Sequence, residues 1–518
     1  MGLKPTLTPE QQAVAAERRA AREAKRLALA AGVEQPVEEV EDPRARVLKR
    51  EWIPARAAPG AAGTGKKQGV KIITWNILAQ TLIRRDLFPG SDSLRWGDRR
   101  AMLESELGHY GRMADILCMQ ECDRLPDLIN SMPYDACVQA KGRGKQHGLV
   151  IAYKSERFGF RGTRVIHLDE EEISPLPEGE VDEVDEDDGR DAKKWQRGED
   201  ERRRRRGGTR QTKNVGLMVG LEDKERAGKG EGVIVITAHL FWHPKYLYER
   251  VRQFIILLRA LQAFRKEHGL ESWPAIMAGD FNSSPCEAPY QLLVDPSKSL
   301  QPDVRERLEE SRVVHNSVDR IAPASYAPIE KPTSTSTSAN GTGANTPTAL
   351  AAPVDAMTEK DDEGEAEVDP TTKTRPLQTR DGILPVDALQ KIMQELVGEG
   401  LKSAYDVAQW AGKADDTFAS RDGWPEGTKA DKGGDEPGYT CFTGLFKLTL
   451  GGSHGLSLGV PILMRIDYLF IIPPKTGDAD VEVKQVLRPA KKTELGEGLP
   501  MKGIGASDHL AVGCEVTW

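Results

Sequence analysis

Polar side chains recur where apolar runs stop. "IITWN" closes on Asn76, "DILCMQE" on Gln120 and Glu121, "VIVITAH" on His239, and "IMAGDFN" on Asp280 and Asn282. "MRIDYLF" sets Asp467 inside an apolar run, and "GASDHLAV" sets Asp508 and His509 just ahead of one. An unpaired buried charge is costly, so acids in such places call for a purpose. Side chains two apart in an extended chain face the same side; Asp280 and Asn282 are therefore expected to share one spot while Phe281 packs away from it. If the strand ends gather along one edge, they form a pocket of carboxylates, amides and imidazoles. Glu121, Asp508 and the Asn76 amide carbonyl are hard oxygen donors that suit Mg²⁺, with Mn²⁺ as a substitute. Asp280 would activate a water and Asn282 would orient it. His239 and His509 would donate hydrogen bonds to charge building on a phosphoryl group, with Asp467 holding His509 in one tautomer. That chemistry is metal-assisted phosphoester hydrolysis. The sequence has no Walker-type glycine loop, Gly-x-Ser-x-Gly elbow or cysteine ligand pairs to suggest another.

The elements that must position these groups are legible as apolar runs at 70–78, 114–121, 148–153, 215–222, 232–240, 274–282, 465–473, 481–487 and 510–518. Helical patterns occupy 98–113 and 244–269. Strands dominate, some adjacent and some joined by helices, which predicts an α/β fold: a two-sheet α/β sandwich with helices packed outside. Residues 1–68 read as a helical arm (7–32) and a linker, and 69–518 as one catalytic domain. Two stretches, about 169–212 and 321–380, lack the apolar content to offset the entropy of ordering and are expected to be disordered surface insertions.

The net charge is −8, but it is unevenly spread: 169–188 carries 12 acids and no base, 190–210 carries 10 bases and 4 acids, and 355–369 carries 8 acids and one base. Without those blocks the remainder is mildly basic, at about +5, which suits a polyanionic substrate. The run Arg202 to Arg206 has the composition of a nuclear-import signal, a nucleic-acid tether or a partner for the acidic block beside it. The six cysteines form no repeating pattern and read as free thiols of a reducing compartment. No signal peptide or membrane-spanning run is visible, so a cytoplasmic or nuclear, non-secreted protein is expected.

Six motifs in order, "TWN", "MQE", "TAHL", "GDFNSSP", "RIDYLF" and "SDHLAV", resemble the endonuclease/exonuclease/phosphatase superfamily over roughly 69–518. "HLFWHPKYLYERVRQ" and "LKREWIP" resemble its deadenylase-like branch, with nocturnin and angel, and most of all the fungal Ngl-type RNA exonucleases. The resemblance implies that Glu121 binds Mg²⁺ and Asp280 is the general base. It also implies that Asn282, His239 and His509 contact the scissile phosphate, and that Asn76 and Asp508 complete the metal and water site. One departure is the longer stretch 448–464 before "RIDYLF". The function expected is a Mg²⁺-dependent 3′-to-5′ RNA exonuclease that trims a structural RNA such as rRNA, or a poly(A) tail. The alternatives are a phosphatase of a small phosphoester, such as a dinucleotide 2′-phosphate, and a non-catalytic RNA-binding scaffold. For the substrate, Lys141 on the basic hairpin "AKGRGKQHG" is the candidate phosphate clamp, and Phe442 and Phe446 are the candidate base-stacking rings.

Overall fold

The computed structural model describes residues 42–55, 69–85, 87–174, 207–226, 231–319, 374–408, 436–448, 458–476 and 480–518. In chain order the strands are β1 (Trp52–Pro54), β2 (Val70–Asn76), β3 (Ile116–Gln120), β4 (Ala136–Lys141), β5 (Gly148–Tyr153), β6 (Phe158–His167), β7 (Val215–Asp223), β8 (Gly232–His239) and β9 (Ala275–Asp280). They continue with β10 (Val314–His315), β11 (Thr374–Arg375), β12 (Lys402–Ser403), β13 (Cys441–Leu448), β14 (Leu458–Met464), β15 (Asp467–Ile472), β16 (Glu482–Leu487) and β17 (Val512–Thr517). Valine, isoleucine and leucine fill the central strands, whose residues are buried on both faces, so the runs are continuous rather than alternating.

Two sheets stack. One has the order β1-β16-β17-β2-β3-β5-β4 and the other β12-β15-β9-β8-β7-β6. Between them lies a core that includes Ile72, Ile116, Ile151, Val219, Val235, Ile276 and Leu469. Helix Trp96–Met113 covers the outer face of the first sheet with Met102, Leu103 and Leu107, and helix Leu247–His268 covers the second with Val251, Phe254 and Leu258. The expected α/β sandwich with outer helices is the observed one. Each sheet contains one parallel pair, β2/β3 and β8/β9, and each pair is joined through one of those two helices. A parallel pair needs such a crossover, and it brings the C-terminal ends of both strands to the same edge. Among the described residues no helix is long and apolar enough to cross a membrane.

Three expectations about organisation need correction. The folded part starts before residue 69: Trp52–Pro54 pairs antiparallel with Gln485–Leu487, so "EWIP" is an edge strand rather than linker. The feet of the acidic and basic insertion are ordered. Ile173 enters the core, Thr212 N donates to Asp169 Oδ2 at 2.8 Å, Thr209 N donates to Glu249 Oε2 at 3.0 Å, and Arg252 Nη2 reaches Leu168 O at 2.9 Å. Likewise Thr374–Arg375 pairs with Val314–His315, so 374–380 belongs to the fold. Polar composition hid these feet because their partners lie on the helix Leu247–His268 and on β10, far away in sequence. The arm helix 7–32, the Arg202–Arg206 run and the interiors of both insertions fall outside the described residues.

Candidate active site

The two parallel pairs bring the polar strand ends together. In β2/β3, Asn76 is in register with Gln120, and Glu121 follows directly. In β8/β9, His239 is in register with Asp280, and antiparallel β15 sets Asp467 against Asp280 from the other side. The approach of β8 and β9 is close at Gly279, where a Cβ would lie 2.2 Å from Ala238 O. Asn76 Nδ2 spans the sheets, donating to Glu121 Oε1 at 2.8 Å and to Asp280 Oδ2 at 3.0 Å. The same Asp280 Oδ2 lies 3.5 Å from His239 Nε2 and 3.7 Å from His509 Nε2. His509 Nδ1 contacts Asp467 Oδ2 at 2.9 Å, and His239 Nδ1 lies 3.9 Å from Glu121 Oε1. Ser507 fixes the last segment: its hydroxyl donates to Asn76 O at 2.6 Å and accepts from His509 N at 3.1 Å.

The local backbone is unusual. Leu78, Glu121 and Asn282 have positive φ, a conformation that costs non-glycine residues energy and that clusters at working sites. Glu121 is held in it because Oε2 accepts from Ala79 N at 2.9 Å while Oε1 faces Asn76. The buried guanidinium of Arg99 ties the surrounding loops together, donating to Ile77 O and Ala506 O at 2.8 Å each and to Leu78 O at 2.7 Å. Burial pushes the Arg99 guanidinium down to about 10, against the pull of Asp508 and other acids. Arg99→Met would leave those carbonyls without a donor. At about 1–3 kcal/mol per stranded buried group, the expected loss of stability is roughly 3 kcal/mol or more, read as a lowered urea midpoint at unchanged slope.

The electrostatics divide the acids. Burial raises the Asp280 carboxyl above the usual range, and Asp467 adds to the effect against the pull of His239, His509 and Asn76. Burial likewise raises Asp508, with Glu121 adding repulsion. Glu121 is lowered: burial acts against it, but His239, His147 and the bonds from Asn76 and Ala79 outweigh it. Burial disfavours charge on His509, yet Cys441, Asp467 and Asp280 hold its pKa well above the usual imidazole value. Glu121 and Asp508 are thus two buried carboxylates that repel each other, a donor set that fits a hard divalent cation.

Several expected residues sit otherwise than the sequence suggested. Asn76 Oδ1 accepts from Leu78 N at 3.0 Å and its amide nitrogen faces the acids, so Asn76 bridges two carboxylates here. Asn282 does not continue the strand: φ is 49°, its N donates to Asp280 Oδ1 at 3.1 Å, and its Nδ2 donates to Leu240 O at 3.0 Å. It meets Asp280 through a turn, not by alternation. Lys141 is exposed and donates to Gln146 O at 2.6 Å, which closes its own hairpin. Phe442 is 1% exposed and packs with Tyr439, Leu495 and Leu499, so it is core and not a stacking platform. Phe446 lies in β13, and its side chain falls outside the described residues.

The sequence reading passed over three groups. Buried His147 lies near enough to Glu121 to lower its pKa; it hides among the bases of the hairpin. Thr440 donates its hydroxyl to Asp467 Oδ2 at 2.7 Å. Trp242, three residues after His239 in the chain, is a large ring left 41% exposed and packs at a tilt against Phe241 and His243.

The model of the Endonuclease/Exonuclease/phosphatase family matches residues 73–355, a stretch holding Asn76, Glu121, His239, Asp280 and Asn282. Asp467, Asp508 and His509 lie beyond it and join through β15 and the approach to β17. The chain is 32% identical over 249 residues to a probable RNA exonuclease of Schizosaccharomyces pombe, covering 47% of this chain and 42% of the relative. It is 31% identical over 312 residues to RNA exonuclease NGL2 of Saccharomyces cerevisiae, covering 55% and 53%. The chain thus spans about half the length of the curated relatives it matches. A solved structure of ANGEL2, titled a 2′,3′-cyclic phosphatase, is similar at 16% identity and a TM-score of 0.47, covering 91% of this chain and 98% of that one.

Proposed function

Since the chain belongs to the endonuclease/exonuclease/phosphatase family, we propose that it hydrolyses RNA phosphodiesters from the 3′ end with the help of Mg²⁺. The observation that carries this reading is Asp280 Oδ2, which faces Asn76, His239 and His509 at one buried point. A carboxylate whose pKa is raised by burial is suited to take a proton from water at neutral pH. Asn282 N and Asn76 Nδ2 hold that carboxylate in place, one on each oxygen. The water oxygen joins phosphorus, the bond from phosphorus to the 3′ oxygen breaks, and the 3′ oxygen takes up a proton, releasing a nucleoside 5′-monophosphate. His509, braced by Asp467, and His239 donate hydrogen bonds to the phosphoryl oxygens as their charge grows. Glu121 and Asp508 would hold the cation; when bound, it neutralises phosphoryl charge.

The RNA class rests on the relatives named as RNA exonucleases. The test is the purified chain on 5′-labelled single-stranded RNA, with Mg²⁺ and with chelator. The expected result is a ladder shortening from the 3′ end that chelation stops. Intact RNA with rapid phosphate release from a dinucleotide 2′-phosphate would replace this reading by the small-phosphoester one.

Trp242 supplies a substrate prediction. Its loop is tied to the helix behind it: Arg250 Nη1 donates to Phe241 O at 3.1 Å and His243 O at 2.8 Å, and the Arg210 guanidinium lies 5.1 Å from the Phe241 ring centre. An exposed ring on a tied loop that follows His239 in the chain is a platform for a base. Trp242→Ala is expected to raise KM for RNA roughly 5- to 160-fold, because stacking is worth about 1–3 kcal/mol per base. Turnover of bis(4-nitrophenyl) phosphate, which has no base to stack, should stay unchanged. An equal loss on both substrates would remove the stacking role.

A further inference from the structure

A second set of ligating atoms adjoins the site. Cys441, Asp508 and His509 each present one such atom within 4.8 Å of the other two, and all three side chains are buried. The backbone fixes this arrangement. Cys441 and His509 face each other in a single antiparallel bridge, flanked by Phe442 N to Asp508 O at 2.8 Å and Leu510 N to Thr440 O at 2.7 Å. Because the hydrogen bonds flank the pair and do not join it, the two side chains stand at the closer of the two antiparallel spacings. The Cys441 thiol forms no disulfide.

The donor types select the ion. Thiolate, imidazole and carboxylate suit Zn²⁺, which commonly takes three protein ligands and leaves a fourth position open. Mg²⁺ avoids sulfur and favours oxygen donors, so it gains nothing from Cys441. We propose that Cys441, Asp508 and His509 bind Zn²⁺ at a site that shares Asp508 with the Glu121–Asp508 cation position but adds Cys441 and His509, and that this binding shuts the enzyme off. Zinc replaces the thiol proton, which leaves to solvent, and a zinc–sulfur bond forms without any change of oxidation state. Inhibition follows because the ion engages both Asp508 and His509. The inhibition rests on the hydrolase reading; the binding does not.

Cobalt(II) added to the full chain in excess Mg²⁺ tests the binding without any assay of activity. A thiolate-to-cobalt charge-transfer band in the near ultraviolet is expected, lost on adding Zn²⁺ and missing from Cys441→Ser and Cys441→Ala. Its absence from the wild type, or its persistence in both variants, overturns the site. In the RNA assay, Zn²⁺ should inhibit the wild type, and Cys441→Ser should need at least about tenfold more, the scale on which metal sites respond to losing a partner. Equal sensitivity would place zinc at the Glu121–Asp508 position instead. A normal thermal midpoint for either variant shows that it is folded. If the chain fails to cut RNA at all, the cobalt spectra alone decide the site.

Discussion

Asp280→Asn is expected to lower turnover on RNA by about 10³-fold, the middle of the range for removing a general base. The substitution keeps the shape of the side chain and removes its capacity to hold the water's proton. The structural cost should be small. The new amide oxygen can accept from Asn76 at the Oδ2 position, while its NH₂ then meets Asn282 N, so one hydrogen bond worth about 1 kcal/mol is lost. Strand β9 is otherwise paired on both sides, with β8 and β15, and should hold its register. The measurement pairs single-turnover rates at saturating RNA with the thermal midpoint. A nearly native midpoint with the rate lost supports the assignment. A rate within a few-fold of wild type would sink it, because among the described residues no other carboxylate contacts both imidazoles.

What made the site legible was the conjunction of an apolar run and an abrupt polar stop. Val70–Asn76, Ile116–Gln120, Gly232–His239 and Ala275–Asp280 all have that form, and all lie in the paired centre of a sheet. The roles proposed for them rest on residue type. What stayed hidden depends on partners distant in sequence. Alternation placed Asn282 beside Asp280, but the strand ends at Asp280, two residues short of it, and a left-handed turn makes the contact instead. Phe442 has the composition of a stacking ring, yet Tyr439, Leu495 and Leu499 enclose it, and those come from both sides of β14–β16. The Asn76 amide is a plausible ligand by type; only the positions of Leu78 N, Glu121 and Asp280 show which of its atoms faces the acids. The feet of the acidic insertion look solvated until Glu249 and Arg252 of a downstream helix are seen to bond them.

Glu121→Gln probes a different part of the machinery. Glutamine can still accept from Ala79 N, with its NH₂ then meeting Asn76 Nδ2, which keeps its bond to Asp280, whereas alanine would leave the buried Ala79 N with no acceptor. The positive φ of residue 121 is therefore kept, and the backbone around Leu78 should not move. What disappears is one of two mutually repelling carboxylates, and with it the reason for a divalent cation to settle there. A bound cation contributes several kcal/mol to stabilising phosphoryl charge, so turnover in saturating RNA should fall by about 10³-fold or more. Rate alone cannot separate this variant from Asp280→Asn, but equilibrium binding can. Calorimetric titration with Mn²⁺ should show affinity lost in Glu121→Gln and largely kept in Asp280→Asn, whose carboxylate faces the two imidazoles. If the two variants lose Mn²⁺ equally, Asp280 shares the cation and cannot also be the free base. If Glu121→Gln binds Mn²⁺ like the wild type, the cation sits elsewhere, and the Glu121 carboxylate serves only to hold His239 and Asn76 in place.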